Sequence, residues 1–118
     1  MLCISFFWGS HKTFKSKTLR KAMKIAFFES KKEDRDFFRK ALKKHKLLFS
    51  EDPLDEKNVS TYKSVDACCV FIGSRLSASV LRKLPRLKLV CTQSTGYDHI
   101  DLKEAKRRKI IVANVPFY

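Results

Sequence analysis

From Met23 onward, short apolar runs rich in β-branched, aromatic and cysteine residues recur about every 20 residues, each followed by helical spacing. The runs are Lys24–Phe28, Leu47–Phe49, Ala67–Ile72, Leu87–Cys91 and Ile110–Ala113. This alternation leaves few folds open. Strands joined through helices run parallel, because a parallel pair needs a long crossover, and helices then cover both faces of the sheet. Right-handed crossovers favour the flavodoxin-like order 2-1-3-4-5. The sequence reaches Tyr118 just past the fifth run. The expected fold is therefore an α/β flavodoxin-like parallel sheet, truncated, with the closing helix absent.

The helical segments carry their own start signals. Ser30-Lys-Lys-Glu33 has capping-box spacing, and the helix after it places Phe37, Phe38, Ala41 and Leu42 on one face. Asn58–Lys63 reads as a short helix. Ser77 or Ser79 caps a helix whose Val80, Leu81 and Leu84 face inward and which Pro85 ends. Asp101-Leu-Lys-Glu104 opens another, with Lys106 to Lys109 at the end where the dipole favours cations. Glu51, Asp52, Asp55 and Glu56 crowd one loop, but without the ordered spacing of a calcium site, and they read as a solvated loop.

Residues 1–22 differ from the rest. An apolar patch (Leu2, Ile4, Phe6, Phe7, Trp8) precedes a basic stretch without acids, the reverse of a secretory signal. We read 1–22 as a disordered basic extension, most simply an appendage translated from upstream of a start at Met23, and 23–118 as the domain.

The net charge is +14, from 26 basic and 12 acidic residues. Such a field attracts nucleic acid or anionic lipid. Within 31–46 and 103–109, however, the charges interrupt apolar helical patterns as solvent-facing residues do, which favours a plain solvated surface. No apolar run exceeds the six residues of Ala67–Ile72, far short of the roughly 20 of a membrane helix. Gly9, Gly73 and Gly96 stand too far apart for a Gly-rich phosphate loop. Cys3, Cys68, Cys69 and Cys91 form no CxxC pair and read as reduced thiols of a cytoplasmic protein, without metal or structural disulfide.

In an open parallel sheet, ligands bind outside the carboxyl ends of the strands. The richest segment there is Gln93-Ser94-Thr95-Gly96-Tyr97-Asp98-His99, where a glycine turn can aim backbone N–H groups at an anion, with Arg75 to add charge. A carboxylate suits such a site. His99 can be drawn as a base beside Asp98 and Asp101, but the plainer reading has those acids cap the next helix and His99 pack beneath it.

Val90-Cys-Thr-Gln-Ser-Thr-Gly-Tyr-Asp-His-Ile-Asp-Leu102, followed by Ile110-Ile-Val-Ala-Asn-Val-Pro-Phe-Tyr118, resembles the NAD-dependent D-isomer-specific 2-hydroxyacid dehydrogenases, especially the D-lactate dehydrogenase-like branch. The resemblance extends to Met23–Phe28 and Asp66–Leu89. It implies an N-terminal part of the substrate domain of an oxidoreductase that reduces a 2-oxo acid to a D-2-hydroxy acid. By position, Thr95 and Gly96 match the turn whose amides hold the substrate carboxylate, and Tyr118 matches a substrate-contacting tyrosine. Ser74 and Arg75 fall in a loop lining the cleft.

The family's catalytic Arg, Glu and His match nothing here, so the resemblance implies no catalytic, cofactor-binding or metal residue in this chain. NAD belongs to the complete enzyme and none to this segment alone. The implied partner is a small 2-oxo or 2-hydroxy acid, with no membrane, and a homodimer is open only to the complete protein. Two departures stand out: Gln93 replaces a frequent Arg, and Lys109 replaces a frequent Gly, which predicts a looser end to the preceding helix. The alternatives are a small basic nucleic-acid-binding module and a receiver-type signalling domain. The first lacks any recognition signature, and the second lacks its acids, since Glu29 and Gly73-Ser74 do not supply them.

Overall fold

The computed structural model describes residues 22–115. Five strands form one parallel sheet: β1 (Lys24–Phe27), β2 (Lys46–Phe49), β3 (Ala67–Val70), β4 (Leu89–Thr92) and β5 (Ile111–Ala113), in the order β2-β1-β3-β4-β5. That is the expected flavodoxin-like order. The connections hold helices α1 (Lys32–Ala41), α2 (Ala78–Arg82) and α3 (Leu102–Arg107), with a single 3-10 turn at Val59–Tyr62.

The sheet separates two apolar clusters. On one side Ala26, Cys68, Val70 and Val90 pack against Leu54, Val59, Val80, Leu81, Leu84 and Ala105. On the other, Ile25, Phe27, Cys69 and Leu89 share a cluster with Phe38 and Leu42, and Phe27 stacks on Phe38 at 4.3 Å between ring centroids. β3 and β4 are buried on both faces, as central strands of a covered sheet must be, whereas the edge strand β2 is only half covered and begins on exposed Lys46.

Several local expectations shift. The apolar run after Asp66 leaves the sheet at Val70, and Phe71 and Ile72 become exposed turn residues. Strand four starts at Leu89, because the Leu87 N–H turns back to the Leu84 carbonyl. The capping box at Ser30 does not form. Lys31 is the N-cap of α1 and lends no side-chain bond, while the Ser30 amide and hydroxyl both donate to the Ser50 carbonyl, tying this residue to the end of β2. Of the four residues expected inward on α1, Phe38 and Leu42 are buried; Phe37 and Ala41 are exposed. The other two helices start as read. Ser77 Oγ accepts from the Val80 N–H at 3.3 Å, and an Asp101 carboxylate oxygen from the Glu104 N–H at 2.9 Å.

Lys109 corrects the expectation of a loose helix end. It adopts φ 59° in the left-handed region, with its N–H bonded to the Lys106 carbonyl at 3.1 Å and the Ile110 N–H to the Ala105 carbonyl at 2.8 Å. Both bonds of a Schellman motif are thus made by a lysine where glycine is the usual residue. Buried Ile110 and Ala105 share a core cluster and hold the exit. Across from it, Arg108 donates to the carbonyls of Leu81 and Leu84, satisfying the open end of α2.

Cys68 and Cys69 are free and buried, as expected of small core hydrophobes. Cys91 is buried in the second of the two apolar clusters, and Cys3 lies outside the described residues. Most of the basic extension and Tyr118 lie outside the described residues.

Candidate functional site

The carboxyl ends of β1, β3 and β4 converge on three loops. The loop after β4 carries the Ser94–Tyr97 turn, and its carbonyls are held one after another. The Ser94 carbonyl accepts from the Val115 N–H at 3.1 Å, the Thr95 carbonyl from Asn114 Nδ2 at 2.7 Å, and the Gly96 carbonyl from Ser94 Oγ at 2.7 Å. In a trans peptide the following N–H points opposite its carbonyl. The N–H groups of Thr95, Gly96 and Tyr97 are therefore turned away from these anchors, and among the described residues they have no protein acceptor. All three residues are exposed. Open backbone donors in one exposed turn are the kind of group an anion can use.

A polar chain backs the turn. His99 Nε2 lies 2.9 Å from Thr92 Oγ1, which lies 2.6 Å from Ser94 Oγ. Because Ser94 Oγ donates to Gly96, the consistent polarity runs from a protonated His99 Nε2 through Thr92 to Ser94. Burial pushes the His99 pKa below the ordinary histidine value, with Glu29 and Asp98 opposing and Arg75 adding to the fall. His99 thus packs behind the turn as a neutral donor, and Asp101 caps α3, which is the plainer of the two sequence readings.

The loop after β3 runs alongside. The Leu76 N–H donates to the His99 carbonyl at 2.9 Å, and the Asp101 N–H to the Leu76 carbonyl at 2.9 Å. This clasp sets exposed Arg75 next to the His99–Asp101 segment that follows the turn. Ser74, expected to line the cleft, is fully buried instead. Its hydroxyl donates to Glu29 Oε2 at 2.7 Å and accepts from the Leu54 N–H at 2.9 Å. Gln93 Nε2 donates to Cys69 Sγ at 3.6 Å. The structure therefore places Thr95 and Gly96 in one exposed turn and Arg75 in the adjoining loop clasped to His99, with Ser74 buried within that loop.

Two contributors went unread in the sequence. Asn114 fixes the Thr95 carbonyl from 19 positions away, a link no local pattern carries. Glu29 was weighed only as a missing receiver acid, yet its carboxylate accepts three hydrogen bonds at the carboxyl edge of the sheet. Gly96, valued for its freedom, has an ordinary negative φ here and open space where a Cβ would stand.

The catalytic-domain profile of D-isomer specific 2-hydroxyacid dehydrogenase matches residues 25–118. The chain belongs to this family. A 2-hydroxyacid dehydrogenase homolog of Zymomonas mobilis is 34% identical over 100 residues, covering 81% of this chain and 30% of the relative. A glyoxylate reductase of Pyrococcus furiosus is 41% identical over 61 residues, covering 52% of this chain and 18% of the relative. Among solved structures, D-lactate dehydrogenase of Aquifex aeolicus complexed with NAD and lactic acid superposes with TM-score 0.72 at 34% identity, over 78% of this chain and 28% of that one. The apo D-lactate dehydrogenase of Escherichia coli gives TM-score 0.72 at 28% identity, over 81% and 32%. The chain spans less than a third of the length of these relatives.

Proposed function

We propose that this chain is the partial substrate domain, residues 23–118, of a cytoplasmic NAD-dependent dehydrogenase that reduces a small 2-oxo acid to its D-2-hydroxy acid. The observation that carries the reading is the set of three unclaimed amides at Thr95, Gly96 and Tyr97, with exposed Arg75 in the loop clasped to His99. Their part is to bind the substrate carboxylate: N–H groups already turned outward need no reorganisation when the anion arrives, and a guanidinium adds a charged, bidentate partner. Tyr118, outside the described residues, is the proposed further substrate contact.

The described residues do not fit a dinucleotide. A pyrophosphate needs a glycine-rich turn that opens directly into a helix. Gly73 is closed off by Glu29, and Gly96 lies well ahead of the first residue of α3, Leu102. NAD, which the Aquifex aeolicus relative holds, therefore enters this reading only as the cofactor of the complete enzyme, whose reduced form would donate the hydride. This chain's own work is to bind and orient the acid.

Titrating the 15N-labelled chain with oxalate, a stable mimic of a 2-oxo carboxylate, tests the reading. The expected result is saturable amide shifts centred on Thr95–Tyr97 and Arg75. Shifts absent there, or seen only as scattered responses of surface lysines, count against it. The chain alone with NADH and pyruvate is expected to consume no NADH above a protein-free control.

A further inference from the structure

Glu29 follows β1 with φ 56°, a left-handed conformation that costs a non-glycine residue roughly 1–2 kcal/mol. Something must repay that strain, and the side chain shows what does. Its Oε2 accepts from the Phe71 N–H at 2.9 Å and from Ser74 Oγ at 2.7 Å, and its Oε1 accepts from the Gly73 N–H at 3.0 Å. All three donors belong to the one loop that carries Arg75. That loop continues the lock: the Leu54 N–H donates to Ser74 Oγ, the Arg75 N–H returns to the Leu54 carbonyl at 2.8 Å, and Leu76 clasps His99. A Cβ on residue 73 would stand 2.4 Å from Glu29 Oε1, so any larger residue there would push this carboxylate out of its place.

From this convergence we infer that Glu29 is a positioning residue, its carboxylate holding the Gly73–Arg75 loop against the Thr95–Tyr97 turn so that Arg75 meets the bound acid. The inference rests on the carboxylate-binding reading above and adds a residue to it. The arrangement is charge-assisted throughout, the stronger class of hydrogen bond.

The test compares the 118-residue chain with its Glu29→Gln variant. Amide hydrogen exchange is read first. Loss of the latch speeds exchange at Phe71 and Gly73 and also, by about tenfold, at Leu54, Arg75 and Leu76, with Cys69 and Cys91 in the central strands unchanged. Faster exchange confined to Phe71 and Gly73 overturns the inference. Oxalate is then titrated into both proteins, with a rise of about threefold or more in apparent Kd expected for the variant. A loosened loop with an unchanged Kd leaves Glu29 merely structural and overturns its positioning role alone. A wild-type chain without oxalate shifts at Thr95–Tyr97 removes the functional reading and the positioning role with it. If Glu29→Gln does not fold, Ser74→Ala, which spares both backbone donors, is expected to give the same pattern at smaller amplitude, and wild-type behaviour from it overturns the inference.

Discussion

Replacing Lys109 by glycine should stabilise the domain. Lys109 holds φ 59° at the end of α3, and its side chain is exposed. A non-glycine residue in this region costs roughly 1–2 kcal/mol, and glycine removes that cost. Two terms offset the gain: glycine makes the unfolded chain more flexible, and a lysine near the helix end contributes up to about 0.5 kcal/mol through the dipole. The net expectation is a gain of about 0.5–1 kcal/mol, or a rise of roughly 3–6 °C in Tm for a domain of this size. Urea unfolding followed by far-UV circular dichroism measures it, with Lys109→Ala as control. Alanine removes the charge but keeps the Cβ, so it should be neutral or destabilising. Lys109→Gly no more stable than wild type, or Lys109→Ala equally stabilising, would refute the strain argument.

Gly73→Ala should cost about 1–2 kcal/mol, and most of that cost should vanish in a Glu29→Ala background, which removes the opposing oxygen, a coupling that a double-mutant cycle reads directly. Gly96→Ala, with open space around it, should change stability by less than about 0.5 kcal/mol. Asp101→Ala removes the cap of α3 and should cost about 1 kcal/mol by chemical denaturation. His99 should titrate below its ordinary value in an NMR pH series. As a group held neutral in the fold, it contributes stability above the unfolded histidine pKa that is lost as pH falls through the lowered value. Burial raises both core thiols, Cys69 to about 12, so iodoacetamide at pH 8 should spare them in the native state; their contribution to stability is lost as pH climbs from the unfolded thiol value toward about 12.

The strand order and the caps at Ser77 and Asp101 were legible because they follow from periodicity and from side chains within three residues of their partners. The capping box at Ser30 was misread for the complementary reason: its local partner lost to the Ser50 carbonyl, 20 positions away and adjacent only once β1 and β2 pair. The run ending in Phe71-Ile72 looked like strand throughout, since apolar content does not mark where a sheet stops. Here β3 ends as the Phe71 N–H leaves for the Glu29 carboxylate. Of the site, the Ser94–Tyr97 turn was visible as a motif, while the burial of Ser74 and the anchoring by Asn114 depend on pairings that only the folded sheet creates.

The way the turn is clamped bears on the order in which the molecule is assembled. Once β1 and β3 have paired, β4 and then β5 each add to the same advancing edge, in the order a ribosome delivers them. Domains can begin to fold during synthesis, and this sheet can grow without waiting for distant sequence. The turn after β4 cannot. The Ser94 and Thr95 carbonyls acquire their donors only when Asn114 and Val115 arrive beside them, so the sheet is already four strands wide before the Thr95–Tyr97 amides are set. A nascent chain paused before residue 114 would hold a recognisable sheet whose Ser94–Tyr97 turn is still unanchored.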